Sequence, residues 1–350
     1  MKAGVLYGRH DLRVEDRPDP SFGDDDVVVK VAYNGLCGTD ATEFAKGPMM
    51  VPLNAPHPGS GHLGPTILGH EFIGTVVEAG RSQRHRIGER IACGAGVSCG
   101  ECAWCGSGRT NLCARYYTLG LSTHGGLAEY VAAPARICST IPDSCADLDA
   151  ALAQPLAVGI HSVNRAHIES GDTVVLLGLG AIGSFICSAL SAHDGPIIAI
   201  DIDDSRLTVA KAIGATETHL IPVDATPGEV RNLVPNGART VFETSGVVGS
   251  AERAFALAER GGNVVLVGLN TTPQPLNLAD LVLREVNIQT TVAHVCSTDI
   301  PAALTMLDRK SLADVLPTRT VSLEDVVTSG LEPLVAGMAR GKVLVDPRHG

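Results

Sequence analysis

Four cysteines stand close together in the stretch SCGECAWCGSGRTNLC, at Cys99, Cys102, Cys105 and Cys113. Thiolates two residues apart can grip one tetrahedral ion, and Gly100, Gly106 and Gly108 let the loop fold around it. Four sulfurs complete the coordination of a zinc ion and leave no position for substrate, so the spacing C-x2-C-x2-C-x7-C predicts a structural clasp. Iron–sulfur clusters use other spacings. Any catalysis therefore lies elsewhere. Cys37, in GLCGTDATEF, and His70 with Glu71, in ILGHEFIGTVVEAG, can each ligate zinc. An ion with three protein ligands keeps a fourth position for water or substrate, which is what a catalytic site requires.

A third constellation concerns a cofactor. Gly178, Gly180 and Gly183 form G-x-G-x-x-G, with Leu179 and Ile182 in the same turn, in DTVVLLGLGAIGSFICSALSAHDGPIIAID. An apolar run precedes the glycines and a helical pattern follows them. Glycines there permit a tight turn, close approach to a pyrophosphate, and close helix–strand packing, and the helix N-terminus offers unpaired N–H groups to phosphate. Asp201 ends the second apolar run. A carboxylate at that place accepts hydrogen bonds from the adenine-ribose hydroxyls and repels a 2′-phosphate, favouring NAD over NADP. Arg206 pulls the other way, since a guanidinium can receive that phosphate.

These residues need elements to hold them. The first 150 residues read as short strands broken by turns: DDVVVKVAYNGL, EFIGTVVEAG, RIGERIACGA and GGLAEYVAAPARICSTIP. KGPMMVPLNAPHPGSGHLGP is a long loop rich in proline and glycine. Near residue 158 the pattern changes. Ala181, Ile182, Phe185, Ile186, Ala189 and Leu190 make one helical stripe. Strand and helix then alternate through SRLTVAKAIGA, ETHLI, TVFETSG, SAERAFALAERG, NVVLVG and NIQTTVAH, which predicts a parallel sheet with right-handed crossovers. A helix is expected near 299–309 and a final strand at GKVLVDP.

Composition excludes several classes. The chain has 350 residues, 45% hydrophobic and 19% charged, with net charge −11, and no basic run. That disfavours a nucleic-acid surface. No apolar stretch is long enough for a bilayer and no apolar signal core opens the sequence, so a cytoplasmic protein with no membrane partner is expected. Its ten cysteines are then ligands, core residues or nucleophiles rather than disulfides. Cys138, Cys145, Cys187 and Cys296 lack ligand spacing and read as small apolar fillers, and Cys93 precedes the clasp without fitting it. His57 and His62 on the long loop, His124 in STHGGLAEYV, and His161 in LAVGIHSV read as loop or packing residues rather than ligands.

The motifs Cys-Gly-Thr-Asp, Gly-His-Glu, the four-cysteine loop and the dinucleotide fold, in that order, resemble the zinc-dependent medium-chain dehydrogenase/reductases of the alcohol dehydrogenase superfamily. The resemblance covers nearly the whole chain. CGTDATEFAKGP, PTILGHEFIGTVVEAG and QPLAVGIHSV are most similar to the butanediol, sorbitol and sugar dehydrogenase branch. It implies an α/β protein: a GroES-like, β-rich catalytic domain over 1–157 with its structural zinc loop at 93–115, a doubly wound Rossmann NAD-binding domain over 158–294, and a return to the catalytic domain over 295–350. It further implies two zinc ions per chain. Cys37 and His70 would ligate the catalytic one, with Glu71 a third or exchangeable ligand. Thr39 would take the proton of the substrate hydroxyl. Cys99, Cys102, Cys105 and Cys113 would hold the structural zinc.

Two positions depart from the branch. Gln154 stands where butanediol and sorbitol dehydrogenases usually have Glu, although the sugar dehydrogenases use Gln. Thr42 replaces a histidine that relays the proton outward. The implied activity is hydride transfer between NAD(H) and a secondary alcohol or ketone: a diol, polyol, sugar or cyclitol. The alternatives are a simple monohydric alcohol dehydrogenase, or a silent dinucleotide-binding protein with only the structural zinc. Family members are usually homodimers or homotetramers.

Overall fold

The computed structural model describes residues 1–348. Contacts divide them into one unit of Met1–Ala157 with the stretch from His294 onward, and a second unit of Val158–Ala293. No helix among the described residues is long and apolar enough to cross a membrane.

In the first unit the β-branched runs become antiparallel sheet. The strand Asp26–Leu36 is its spine, pairing with Glu71–Ala79, Tyr130–Pro134 and Lys342–Asp346. The seven-stranded sheet continues through Arg90–Cys93 to Cys138–Thr140 on one side and to Thr318–Ser322 on the other. A smaller sheet joins Asp11–Asp16, Lys2–Gly8 and Thr66–Ile67. Leu6, Ile67, Leu68, Leu127, Val343 and Val345 share one apolar core, and Val29, Phe72, Ile91 and Val131 share another. The expected helix near 299–309 spans Cys296–Arg309.

The registers place the chemistry. Gly35 lies opposite Glu71, and Leu36 opposite Val343, so Cys37 leaves the spine strand beside the start of Glu71–Ala79. Cys37 caps the helix Gly38–Lys46, whose first turn carries Thr39 and Asp40. At the far end of that helix the buried Glu43 carboxylate accepts hydrogen bonds from the Met49 N–H at 3.0 Å and the Met50 N–H at 2.6 Å. One side chain thus anchors the entry to the long loop.

The second unit is a six-stranded parallel sheet. Its strands lie in the order Glu217–Leu220, Ile197–Asp201, Val174–Leu177, Ala238–Glu243, Ala258–Leu266, Asn287–Thr290. Val174–Leu177 and Ile197–Asp201 are buried throughout, as strands covered on both faces must be. Numbered along this unit the order is 3-2-1-4-5-6, with its switch point between Val174–Leu177 and Ala238–Glu243. The helix Ala181–Ala189 is more deeply buried than a single stripe predicts: Gly183 through Ser188 are all inside, Cys187 included. The stretch SAERAFALAERG is not one helix. It is helical only over Ser250–Leu257, because Ala258 turns extended and starts the next strand opposite Ala238.

Candidate active site

The donors of Cys37, His70 and Glu71 all lie within 4.8 Å of one another, although 33 sequence positions separate Cys37 from His70 (70 − 37). His70 and Glu71 are buried, and Cys37 is half-buried. Asp40, fully buried, ties the group together. Its Oδ2 accepts a hydrogen bond from the Cys37 N–H at 2.8 Å, and its Oδ1 lies 3.3 Å from His70 Nδ1. With Nδ1 turned to a carboxylate, Nε2 is the nitrogen left for a metal, the arrangement that fixes ring tautomer at zinc sites. Burial alone would lower the His70 pKa. The Asp40 carboxylate, with Cys37 adding to it, outweighs burial and raises it well above the ordinary value.

Thr39 stands 3.7 Å from the Cys37 sulfur, measured at Oγ1. Thr42 commits its hydroxyl hydrogen to the Gly38 carbonyl at 2.8 Å. Glu71 forms a buried ion pair with Lys342, which also donates to the Leu36 carbonyl at 2.9 Å. Gln154 is half-buried in the first turn of the helix Ala153–Ala166. A soft thiolate, an oriented imidazole and a carboxylate in one buried pocket make a zinc-type donor set. Asp40 and Lys342 were invisible as site residues in the sequence. The Cys-Gly-Thr-Asp motif does carry Asp40, and a lysine inside the apolar run GKVLVD is itself a signal, since lysine is buried only with a partner.

The clasp is equally compact. The ligand sulfurs of Cys99, Cys102, Cys105 and Cys113 lie within 4.8 Å of one another. Cys102 and Cys105 approach to 3.6 Å, and Cys99 and Cys105 to 3.9 Å. Backbone amides point at the sulfurs: the Cys99 N–H donates to Cys113 Sγ at 3.2 Å and the Arg115 N–H at 3.3 Å. The Cys102 N–H leads the groups that lower the Cys99 thiol to about 6, whereas burial pushes Cys113 up to about 11. Sulfurs crowded this closely with inward-pointing donors suit a cation that neutralises them. Gly100 and Gly108 adopt φ of +80° and +77°, which the reversal of the loop requires.

In the second unit, Gly178 has φ +97° and a Cβ there would press on Thr244 Oγ1 and Ser245. Thr244 Oγ1 in turn donates to the Gly178 carbonyl at 2.6 Å. Gly183 abuts the Gly178 carbonyl, so helix and turn touch closely. A Cβ on Gly180 would meet nothing within 4 Å, which leaves space for a phosphate at the N-terminus of Ala181–Ala189. Leu179 is buried and Ile182 half-buried. Asp201, also buried, accepts hydrogen bonds from the N–H groups of Leu179 and of Asp203, the latter at 2.9 Å. Arg206 Nη1 lies 3.6 Å from Asp201, and its Nε 4.0 Å from Asp203. The guanidinium is therefore flanked by two carboxylates.

Three of the histidines set aside as ligands have hydrogen-bond partners of their own. His57 Nδ1 accepts hydrogen bonds from the Gly59 and Ser60 amides. His124 Nδ1 accepts from the Ile67 N–H at 3.1 Å, and its ring stacks edge-on against His62 at 4.6 Å. Burial, with His62 and Arg17 adding to it, pushes the His124 pKa down to about 4.

Two family descriptions match the chain. Residues 23–143 match the alcohol dehydrogenase GroES-like domain, and residues 181–309 match the zinc-binding dehydrogenase family. Sorbitol dehydrogenase of Bacillus subtilis (strain 168) is 31% identical over 82% of this chain and 81% of its own. The crystal structure of 2R,3R-butanediol dehydrogenase from Bacillus subtilis superposes with a TM-score of 0.89 at 27% identity, over 99% of each chain. A zinc-binding dehydrogenase from Sinorhizobium meliloti 1021, solved bound to NADP, gives a TM-score of 0.84 at 29% identity, over 99% of each chain.

Proposed function

This chain belongs to the zinc-binding alcohol dehydrogenase family, and from that premise we propose that it is an NAD-dependent oxidoreductase interconverting secondary alcohols and ketones. The substrate class is a diol, polyol, sugar or cyclitol, in keeping with the sorbitol and butanediol dehydrogenases it is similar to. The observation that carries the reading is the buried convergence of Cys37, His70 and Glu71 with Asp40 behind the imidazole.

Cys37 and His70 would hold the catalytic zinc, with Gln154 a further donor and Glu71 an exchangeable one, and the four-cysteine clasp would hold a second, structural ion. When bound, zinc supplies Lewis acidity at the substrate oxygen and the nicotinamide supplies or accepts the hydride. Asp40 keeps the His70 ring in the tautomer that leaves Nε2 free. Thr39 Oγ1, on the first turn of Gly38–Lys46, would accept the substrate hydroxyl's proton while passing its own hydroxyl hydrogen on toward the nicotinamide ribose and water. Thr42 is turned onto Gly38, so the outward path of the proton does not start from it. Gly178, Leu179, Gly180, Ile182 and Gly183 receive the pyrophosphate. Asp201 takes the adenine ribose, and the carboxylates around Arg206 offset the one charge that would favour a 2′-phosphate.

The catalytic domain comprises 1–157 and 295–350, with 158–294 binding NAD. Exposed apolar side chains on the second unit, Leu269, Val282 and Leu283 among them, support assembly into a homodimer or homotetramer. Ten free thiols suit the cytoplasm.

The test is metal analysis of the purified protein with oxidation of a panel of alcohols by NAD+ and by NADP+. The expected result is two zincs per chain and NAD+-linked turnover of vicinal diols or polyols. A protein carrying the clasp zinc alone, or one that oxidises only simple monohydric alcohols, would overturn the reading.

A further inference from the structure

We propose that Lys342 is a positioning residue that holds the Glu71 carboxylate off the catalytic metal; this rests on the pocket zinc proposed above. Lys342 and Glu71 are among the most deeply buried charges in the first unit, with side chains 4% and 2% exposed. The ammonium pairs with Glu71 Oε2 and donates to the Leu36 carbonyl at 2.9 Å. It is thus fixed from two directions, and the carbonyl belongs to the residue just before Cys37. Space for the pair comes from Gly35, which lies opposite Glu71 in the sheet. A Cβ at Gly35 would press on Glu71 Oε2 and would come within 2.8 Å of Lys342 Cε.

Glu71 therefore has two possible counter-charges. One is a rigid ammonium. The other is a metal on the Cys37 and His70 donors, which lie within 4.8 Å of its ligand oxygen. A buried carboxylate must be compensated, and it can be compensated by either. Where Lys342 satisfies it, the pocket zinc is offset by one thiolate and keeps most of its positive charge for the substrate oxygen. Without Lys342, the same carboxylate has only the metal to turn to. Zinc would then be held more tightly and would polarise the substrate less, because an added anionic ligand lowers Lewis acidity.

The experiment uses the full-length holoenzyme and four forms: wild type, Lys342→Met, Lys342→Arg, and the charge-neutral double variant Lys342→Met/Glu71→Gln. Zinc release to a chromogenic chelator is followed for both ions, the clasp zinc serving as an internal control. X-ray absorption counts light-atom neighbours of the pocket zinc, and kcat and KM are measured for alcohol oxidation. Lys342→Met should tighten the pocket zinc about tenfold or more, the scale on which partners of metal ligands act. It should add one oxygen neighbour and lower kcat more than it raises KM. The double variant should return zinc affinity to within about threefold of wild type, and Lys342→Arg should recover part of kcat.

Unchanged or weaker pocket-zinc affinity in Lys342→Met would refute the proposal while leaving the two-zinc enzyme intact. Loss of pocket zinc from the double variant would refute it too, because Glu71 would then be a ligand in the wild type, and that variant answers the question even if Lys342→Met does not fold. A wild type that holds the clasp zinc alone would sink both this proposal and the pocket reading beneath it.

Discussion

Replacing Asp40 by asparagine tests the geometry of the pocket with almost no change of shape. Asp40 is fully buried, so no water can take over its contacts. One carboxylate oxygen accepts from the Cys37 N–H at 2.8 Å, and the other faces His70 Nδ1 at 3.3 Å as an ionic contact. An amide can do only one of these. If its oxygen stays on the Cys37 N–H, its NH2 faces Nδ1 and drives the imidazole proton to Nε2, the nitrogen that must be bare to bind metal. If it flips, its NH2 opposes the Cys37 N–H and the helix cap is lost.

Either way one charge-assisted hydrogen bond is forfeited, about 1.5–3 kcal/mol in a buried setting. That agrees with the 10- to 100-fold loss of metal affinity usual for such partners, about 1.4–2.7 kcal/mol. Asp40→Asn should therefore weaken one of two zincs by roughly that factor, with alcohol oxidation falling in parallel and the clasp zinc unaffected. Chelator competition with metal counting reads both ions in one experiment. If Asp40→Asn retains both zincs at wild-type affinity, the tautomer argument is wrong.

Three further outcomes are expected. Cys102→Ser should release one zinc per chain and lower the thermal midpoint by several degrees while the pocket zinc stays, because its sulfur touches only the clasp; full stability with a loss of turnover alone would contradict the structural role. Asp201→Ala should lower the ratio of kcat/KM for NAD+ over NADP+ by about tenfold or more, on the scale of one charge-assisted hydrogen bond; an equal loss for both cofactors would remove Asp201 from cofactor choice. His124 is held neutral in the fold, with its pKa down at about 4 against an ordinary 6.5. Between those values the unfolded chain binds a proton that the folded one does not, so stability falls as pH drops through that window. His124→Gln should flatten that part of the melting-temperature profile, and an unchanged slope would show that His124 is not its source.

The chemistry legible in the sequence was the chemistry confined to short segments. Metal ligands on one loop, and glycines in one turn, leave a spacing that can be read directly. Cys37, His70 and Glu71 were also readable because they sit in two short motifs, Cys-Gly-Thr-Asp and Gly-His-Glu. What brings them together is sheet register, with Gly35 opposite Glu71, and register across distant segments leaves no local trace. The Lys342–Glu71 pair was hidden for that reason: GKVLVD reads as a strand whichever partner its lysine finds. Asp40 was quoted with its motif but given no role, since its two contacts emerge only once the helix cap forms. The stretch SAERAFALAERG misled because good helix formers continue past Leu257. Pairing of Ala258 with Ala238 overrides their propensity.

The strand Lys342–Asp346 also sets the order in which the molecule can be completed during synthesis. Leu36 and Lys342 are 306 positions apart, an interval of roughly 15–60 s at translation rates of about 5–20 residues per second. The parallel sheet of Val158–Ala293 is contiguous and can close well within that time. Until its C-terminal partner emerges, the Asn34–Leu36 end of the spine strand offers unpaired backbone beyond the stretch that Tyr130–Pro134 covers, the kind of surface that invites wrong pairing. During the same interval Glu71 has no ammonium beside it. The Cys37, His70 and Glu71 group therefore gains its counter-cation only after the strand Lys342–Asp346 has been made.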